Sequence, residues 1–507
     1  MATHITTTDN QDDHDDLRRE CFEQLRSFMS TANMDGALTC AVKLRETLPH
    51  RDDLRANLVL IAYGGGKDSS YMLAFVRLMQ LLLHRVHGST FRIRSVTNRH
   101  AGMPRAVMDN IDRVYRALGL FDDPDCELLL IDGDEVSPFD AELPQRPHVI
   151  ERNRLDILMT GHRTFADGRP TFCNSCNLSM VNAFGLAAGY QGGVDIIITG
   201  DSREEQRAYF LWVKRLAARF GLATAGVGQG GFGSFLSTTN DIAKAYFSDI
   251  FGPDAHDTIA ERKVAADVSD RMRFFSIYGD TEYSAKEHWD LLTDFLKFEF
   301  DDLAFSFTES DCANPALMAH LRGLKSERLF GRGYGAGIAE YVEFAATLMG
   351  KKDFPEHLVE VMRDRYSGAE SVTRMRTMID RYAADAYGLT TDQLICMVFS
   401  PFSGAGTGLA DYLTREQPRL VPRLADIHAL LAGTGDDDAL AAELRAVSGL
   451  ELHHLRVLYA APAAGTRVSA DATDLIGAIL DGDPHKEVIR TRHAPEGAVV
   501  LELLSGR

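Results

Sequence analysis

The fold is decided by one stretch, Asn57-Leu-Val-Leu-Ile-Ala-Tyr63 followed directly by Gly64-Gly-Gly-Lys-Asp-Ser-Ser70. The first part is a short apolar run with the length of a buried strand. Three glycines break this run, and apolar residues then recur at helical spacing from Ser69 to Leu83. The stretch therefore predicts a strand, a glycine-rich turn and a helix.

Strand-like and helix-like segments alternate after this stretch. We expect further strands at 91–97, 127–131 and 194–199, and further helices at 106–118 and 181–190. This alternation is typical of an α/β fold, in which helices cover both faces of a parallel sheet. Ligands bind such sheets at the carboxyl ends of the strands, so the residues just after Tyr63, Thr97 and Thr199 should lie on one rim.

The glycine-rich turn has the composition of an anion-binding loop. Its backbone N–H groups can turn inward, and the positive end of the following helix points at the same place. Lys67 can add a charge, and the hydroxyls of Ser69 and Ser70 can donate hydrogen bonds. Asp68 can cap the helix or help hold Mg²⁺. A plain glycine turn with a capping Asp68 is the alternative, but Lys-Asp-Ser-Ser directly after the glycines favours phosphate binding.

The segment resembles the PP-loop motif Ser-Gly-Gly-x-Asp-Ser of the N-type ATP pyrophosphatases. Gly65, Gly66, Asp68 and Ser69 match the motif, whereas Gly64 replaces its first serine and so removes one hydroxyl contact. The resemblance implies the PP-loop ATPase fold, which is like that of the adenine nucleotide alpha-hydrolases. It also implies cleavage of ATP between the α and β phosphates, attachment of AMP to an acceptor oxygen, and displacement of AMP by a nucleophile.

The same resemblance implies which residues form the site. Lys67 and Asp68 are the expected catalytic residues, and ATP with Mg²⁺ is the expected ligand. The ATP-binding residues would be Tyr63, Gly64, Gly65, Gly66, Lys67, Asp68, Ser69, Ser70, Thr97, Gly200 and Asp201.

Two cysteines form a C-x-x-C pattern in Thr171-Phe-Cys-Asn-Ser-Cys-Asn177, which by itself indicates a metal or redox site. The pattern precedes the helix that leads into the fourth strand. This order resembles the tRNA 2-thiocytidine synthetase branch of the family, where a C-x-x-C precedes a Gly-His-His-x-Asp-Asp segment. Gly200 falls on the glycine of that segment, and Asp201 stands where the family has His.

A third cysteine is used farther along the chain in that branch. Cys312 takes its place here, after a helix-like stretch over 284–298. The resemblance implies that Cys173, Cys176 and Cys312 hold a [4Fe–4S] cluster with one open iron. Thiolates suit iron–sulfur clusters and Zn²⁺ alike, so a zinc site is the alternative, and a C-x-x-C that only packs a loop is the third reading.

Composition limits the class of protein. The chain has 507 residues, of which 45% are hydrophobic and 25% charged, so whole-chain disorder and a small disulfide scaffold are excluded. With 54 basic and 73 acidic residues the net charge is −19, which disfavours a phosphate-backbone partner. We therefore expect a small-molecule or protein-bound substrate, and tRNA is not the expected partner. A homodimer is compatible with the sequence.

Four regions differ in character along the chain. We expect an acidic tail and N-terminal helices over 1–50, the PP-loop ATP-binding domain over 51–315, a helical region over 316–432 and a small C-terminal appendage over 433–507. The chain lacks a long apolar run and an apolar signal segment, so we expect a cytoplasmic protein with no membrane partner. Its seven cysteines would then be thiols or metal ligands.

Three functions fit these features. The first is an enzyme, a transferase that activates an acceptor oxygen with ATP and then transfers sulfur to it. The second is an ATP-dependent amide-forming ligase, similar to the PP-loop sugar amidotransferases, with a structural metal at the cysteines. The third is a binding module that keeps a nucleotide site without turnover, which the intact Lys67-Asp68-Ser69 disfavours. tRNA thiolation is a further alternative, and the sulfur or nitrogen donor is not identified by the sequence.

Overall fold

The structure is a computed structural model. It describes residues 6–200, 203–219, 221–222, 231–269, 272–281, 288–305, 311–351, 354–462, 475–481 and 486–505. A six-stranded sheet with helices on both faces forms the first half, and helices dominate the second half. None of the described helices is both long enough and apolar enough to cross a membrane.

The main sheet is mostly parallel. Its strands are β1 (Leu58–Ala62), β2 (Arg92–Asn98), β3 (Cys126–Asp132), β4 (Glu135–Pro138), β5 (Ile196–Ile198) and β6 (Arg273–Phe275). They lie in the order β4-β3-β2-β1-β5-β6, and only the β3–β4 pair is antiparallel. The α/β class expected from the sequence is therefore confirmed, and β1, β2, β3 and β5 coincide with the expected strands.

The helices are α1 (Thr6–Phe28), α2 (Thr31–Thr47), α3 (Lys67–His87), α4 (Arg105–Ala117), α5 (Pro147–Arg163), α6 (Gly168–Gly189), α7 (Arg203–Arg219), α8 (Gly231–Phe251), α9 (His256–Ala260), α10 (Asn314–Arg328), α11 (Tyr334–Lys351), α12 (Glu356–Arg365), α13 (Gly368–Tyr387), α14 (Thr391–Phe399), α15 (Leu409–Glu416), α16 (Leu424–Leu431), α17 (Asp438–Ser448), α18 (Leu452–Ala460) and α19 (Leu475–Asp481). A second sheet pairs β7 (Lys486–Thr491) with β8 (Val500–Ser505) in antiparallel fashion. The stretch 284–298, expected to be helical, is described from residue 288 and contains a π-helical turn over Leu291–Phe295.

Strand β1 lies in the middle of the sheet because its side chains are apolar on both faces. Leu58 and Leu60 join one core cluster, whereas Val59 and Ile61 join the other. This alternation is the period-two geometry of a strand that is covered on both sides. The turn after β1 is thereby placed at the centre of the carboxyl rim.

The two faces of the sheet are packed differently. One core cluster is built from the helices α1 to α4 and the sheet. The other combines the opposite face with α5, α6 and α8 and continues through the helical second half as far as Leu504. The second half therefore shares its hydrophobic core with the sheet, which brings its helices close to the rim.

The N-terminal helix is anchored by a buried group of charges. Arg18 of α1 donates to both carboxylate oxygens of Asp123, at 2.5 and 2.8 Å, and Arg77 of α3 donates to the same carboxylate at 2.8 Å. Burial tends to raise the pKa of Asp123, but the two guanidinium groups outweigh it and the pKa lies well below its ordinary value. The acidic segment at the start of the chain thus contributes to a helix that is tied to the sheet.

Candidate functional site

The glycine loop joins β1 to α3 at the centre of the carboxyl rim. Gly65 has a φ of +76°, a conformation that disfavours side chains. A Cβ at this residue would lie 2.7 Å from Ile111 Cγ1 and 2.8 Å from Val107 Cγ1 of α4. Gly66 is the N-cap of α3 and makes no side-chain capping bond. The loop therefore needs glycine for its conformation and for the close approach of α4.

The hydroxyl groups around the loop hold its shape. Ser69 and Ser70 donate to the carbonyl oxygen of Gly66, at 3.0 and 2.9 Å, and Ser70 also shares a hydrogen bond of 3.0 Å with the Tyr63 hydroxyl. Burial raises the pKa of Tyr63, so its phenol stays protonated. Ser70 is fully buried. Of the expected ATP-binding residues, Tyr63 and Ser70 thus support the loop from beneath.

Lys67 and Asp68 form an ion pair at the start of α3. Lys67 Nζ donates to both carboxylate oxygens of Asp68, each at 2.7 Å. The lysine side chain is only 4% exposed, whereas that of Asp68 is 43% exposed. The expected catalytic pair is therefore close together, with the carboxylate reachable from solvent and the ammonium enclosed. An exposed carboxylate of this kind is a suitable oxygen ligand for Mg²⁺.

Residues in or just after the two neighbouring strands, β2 and β5, border the loop. Thr97 of β2 is buried and donates from Oγ1 to the Tyr63 carbonyl at 2.9 Å. Gly200 follows β5, and a Cβ there would lie 3.7 Å from Ser69 Cα. Tyr278 fixes this residue by donating to its carbonyl at 2.7 Å. Both expected residues thus border the loop, and Asp201 lies outside the described residues.

Asp311 lies close to Gly64 of the loop and was not expected from the sequence. Its Oδ2 atom is 3.5 Å from the position of a Cβ at Gly64. A serine at this residue, as in the family motif, would therefore contact the carboxylate. Where the family motif has a serine hydroxyl, this chain thus has Gly64 with the Asp311 carboxylate close by. Cys312 is the next residue after Asp311 in the sequence.

The exit of β2 offers two further polar groups that the sequence reading missed. The buried Oδ1 atom of Asn98 has no hydrogen-bond partner in the part of the chain that the structure describes. His100 Nδ1 accepts a hydrogen bond of 3.1 Å from the Gly102 amide. A buried acceptor without a donor calls for an explanation, and a bound ligand is one. The rule that ligands sit at the carboxyl ends of strands would have found both residues.

The three expected metal-binding cysteines lie on two adjoining segments. Cys173 and Cys176 are one turn apart on α6, and Cys312 precedes α10. All three are partly buried thiols. The helices approach closely, because a Cβ at Gly168 of α6 would lie 2.7 Å from Met318 Cβ of α10. The C-x-x-C thus lies on α6, and Cys312 lies just before α10, the helix that packs against α6.

Two tyrosines of α13 stand beside these thiols. Burial raises the pKa of Tyr387 well above its ordinary value, and Tyr382, Cys176 and Cys312 add to the rise. Burial also raises the pKa of Tyr382, with a further contribution from Cys312. Both phenols are therefore protonated donors.

The three thiols are of a chemical type that binds metals, but they are not grouped around a common position. Among the residues that the structure describes, no three His, Cys, Asp or Glu side chains stand close enough together to hold one ion. Cys173, Cys176 and Cys312 would have to move together to become a common coordination sphere. Cys126 is separate from them, on β3 beside Arg77 and Gln80.

Comparison with family models, curated proteins and solved structures finds no match for this chain. The function of the chain is therefore inferred from its candidate site. The main parts of this site are a glycine loop on a central strand, an Lys–Asp pair at the start of the next helix, two thiols on α6 and a third just before α10.

Proposed function

We propose that this chain is an ATP pyrophosphatase of the PP-loop type, which adenylates an oxygen of a small-molecule or protein-bound acceptor. One observation carries the proposal: the loop from Gly64 to Ser70 joins the central buried strand to α3 and presents Lys67 and Asp68 at the carboxyl rim. Backbone amides, a helix N-terminus and a cation at one point favour a polyphosphate.

The proposed reaction begins with attack on the α phosphorus. An acceptor oxygen forms the new P–O bond, and the bond from the α phosphorus to the bridging oxygen breaks with its electron pair left on pyrophosphate. The loop amides and Lys67 would stabilise the charge on this leaving group. Asp68 would help hold the Mg²⁺ that accompanies ATP.

In the second step a nucleophile displaces AMP from the activated acceptor. We propose sulfur as the transferred atom, since Cys312 follows Asp311, which lies close to the loop, and Cys173 and Cys176 lie on α6, which packs against α10. A thiolate-bound iron–sulfur centre, when present, would supply hydrosulfide for this displacement. The chain itself contributes the loop and the strands that border it.

Amide formation is the second candidate, and one observation favours it. The three thiols are not grouped for a common ion within the described residues. A nitrogen nucleophile would need no cluster, and the cysteines could then bind Zn²⁺ or no metal. The net charge of −19 disfavours tRNA as the acceptor under either candidate.

The first experiment measures the products of ATP. The full chain is incubated with Mg²⁺, α-labelled ATP and a small-molecule extract as the source of acceptor. We expect labelled AMP with an equal amount of pyrophosphate. Labelled ADP as the main product would overturn the proposal. Calorimetry with α,β-methylene-ATP, whose α–β bridge resists cleavage, measures binding without turnover.

The second experiment separates sulfur from nitrogen transfer. Iron, zinc and acid-labile sulfide are measured after anaerobic purification of the native chain and of Cys→Ser variants at positions 173, 176 and 312. Under sulfur transfer, iron and sulfide are present and fall strongly in each variant, whereas Cys126→Ser leaves them unchanged. Zinc alone would favour amide formation. An active protein with no metal would exclude a metal at these cysteines.

A further inference from the structure

Helix α13 connects the second half of the chain to the candidate site. Its last turns carry Tyr382 and Tyr387, whose rings lie 6.3 Å apart. The Tyr382 hydroxyl donates to the Gly102 carbonyl at 2.5 Å, and the Tyr387 hydroxyl donates to Asn314 Oδ1 at 2.7 Å. One helix thus contacts both the segment after β2 and the first residue of α10.

The segment after β2 is fitted closely around these hydroxyls. A Cβ at Gly102 would lie 2.0 Å from Tyr387 Oη and 2.6 Å from Asn314 Oδ1. The Gly102 carbonyl also accepts a bond of 3.3 Å from the Ala313 amide. Residues 313–314 therefore contact the segment after β2 at Gly102.

The C-x-x-C helix reaches the same point. The ring of Phe172, which precedes Cys173, lies 6.2 Å from the Tyr387 ring. Cys176 lies four residues after Phe172 on the same helix. Cys312 directly precedes Ala313, whose amide donates to the Gly102 carbonyl. Tyr387 itself is only 2% exposed. It is therefore a buried point of contact among the β2 exit, α6 and the Cys312 segment.

We infer that Tyr382 and Tyr387 are positioning residues, which hold the C-x-x-C segment of α6 and the Cys312 segment before α10 against the β2 edge of the nucleotide site. The inference deepens the proposed function and rests on it for the role of ATP. The contacts that the two hydroxyls make with these segments do not depend on ATP. Through them the helical second half of the chain would help to position the site.

The two hydroxyls have different expected effects when they are removed. Tyr387→Phe leaves the buried Asn314 Oδ1 without its donor and frees the Cys312 segment. Tyr382→Phe leaves the Gly102 carbonyl with the longer bond from Ala313 alone. Local opening exposes nearby thiols to small reagents, so thiol reactivity reports the change directly.

The test measures alkylation of individual cysteines by iodoacetamide. The full chain is freed of metal with a chelator, and peptide mass spectrometry follows Cys176 and Cys312. We expect roughly 5- to 10-fold faster alkylation of both in Tyr387→Phe, the factor that one lost hydrogen bond supplies, and a smaller increase in Tyr382→Phe. Saturating Mg²⁺ and α,β-methylene-ATP should slow alkylation of Cys312 in the native chain and less so in the variants.

Two controls and a second variant accompany the test. Tyr366→Phe removes a hydroxyl that has no hydrogen-bond partner among the described residues, so its rates should equal those of the native chain. The fully buried Cys396 is the internal reference for global unfolding. Gly102→Ala disturbs the same contact without changing a tyrosine. Combined with Tyr387→Phe it should be less than additive, because both changes break one contact.

Each outcome decides one of the two ideas. Unchanged rates at Cys176 and Cys312 in Tyr387→Phe, Tyr382→Phe and Gly102→Ala would overturn the positioning role. If a tyrosine variant does not fold, as fast alkylation of Cys396 would reveal, Gly102→Ala decides the matter. Failure of the native chain to bind α,β-methylene-ATP by calorimetry would count against the proposed function, whereas the rates without nucleotide would still judge the positioning role.

Discussion

Lys67 Nζ lies 5.1 Å from the centre of the Phe354 ring. The lysine belongs to the glycine loop, and the phenylalanine lies in the connection between α11 and α12. An ammonium group over an aromatic face is attracted by the negative charge density of the ring. The helical second half therefore encloses the cation of the loop, which explains how a lysine at the rim of the sheet can be 4% exposed.

The first prediction concerns this contact. Phe354→Ala should weaken binding of Mg²⁺ and α,β-methylene-ATP roughly 2- to 30-fold, corresponding to a cation–π contribution of about 0.5–2 kcal/mol. Without the ring, Lys67 is hydrated and less well oriented towards phosphate. Phe354→Tyr keeps the aromatic face and should bind like the native chain. Equal affinities measured by calorimetry for all three proteins would show that the ring plays no part in binding.

The second prediction concerns Asp68. Asp68→Asn is isosteric and alters a partly exposed group, so the thermal unfolding temperature should change little. Turnover should fall by roughly 100-fold or more, because the amide is a poor ligand for Mg²⁺ and no longer neutralises Lys67. AMP release measures the effect. Asp411→Asn, in an exposed pair with Arg415, is the matched control and should leave turnover unchanged. Full activity of Asp68→Asn would remove this carboxylate from the mechanism.

The sequence predicted the central part of the fold because that information is local. Strands β1, β3 and β5 contain continuous apolar runs, β2 places Ile93 and Val96 between two helix-like segments, and the glycine loop is recognisable from adjacent residues. Strand β6 has only three residues, Arg273–Phe275, of which the first is exposed, so neither length nor pattern identifies it. Strand β4 pairs antiparallel through a short turn and is equally weak as a signal.

The candidate site was predicted less completely because its covering groups come from distant segments. Asp311, Phe354 and Tyr387 reach the rim through packing of the second half, which no local pattern reveals. The proximity of the C-x-x-C helix to Cys312 was expected only through a family resemblance. The role of Thr97 differs in detail from what the sequence indicates, since its hydroxyl is bonded to the loop backbone.

The third prediction compares two glycines with positive φ. Gly65→Ala should lower the free energy of unfolding by more than Gly88→Ala. Both residues have a positive φ, +76° and +69°, which is strained for alanine. Of the two, only Gly65 has atoms of other residues close to the position of a Cβ. The strain alone costs of order 1 kcal/mol, and the contacts with Ile111 and Val107 should add roughly 1–3 kcal/mol. Urea unfolding measures both values. α,β-Methylene-ATP should bind Gly88→Ala normally and Gly65→Ala poorly. A similar loss of stability in the two variants would contradict the packing argument.

The last prediction concerns pH. His162 of α5 is fully buried, its two ring nitrogens have no hydrogen-bond partner among the described residues, and burial lowers its pKa to about 3. Because the unfolded value is near 6.5, the unfolded chain binds more protons between pH 6.5 and 3. The contribution of this neutral histidine to stability is therefore complete above pH 6.5 and is lost as the pH falls. One proton corresponds to a slope of at most about 1.4 kcal/mol per pH unit.

Replacing this histidine should flatten the acid limb of the stability curve. His162→Gln does not titrate, so its free energy of unfolding should fall less steeply than that of the native chain between pH 6.5 and 4, whatever its stability at pH 7. His50→Gln alters an exposed histidine and should leave the native slope unchanged. Urea unfolding at half-unit steps of pH provides the slopes. Parallel curves for the native chain and His162→Gln would mean that His162 is protonated alike in the folded and unfolded states.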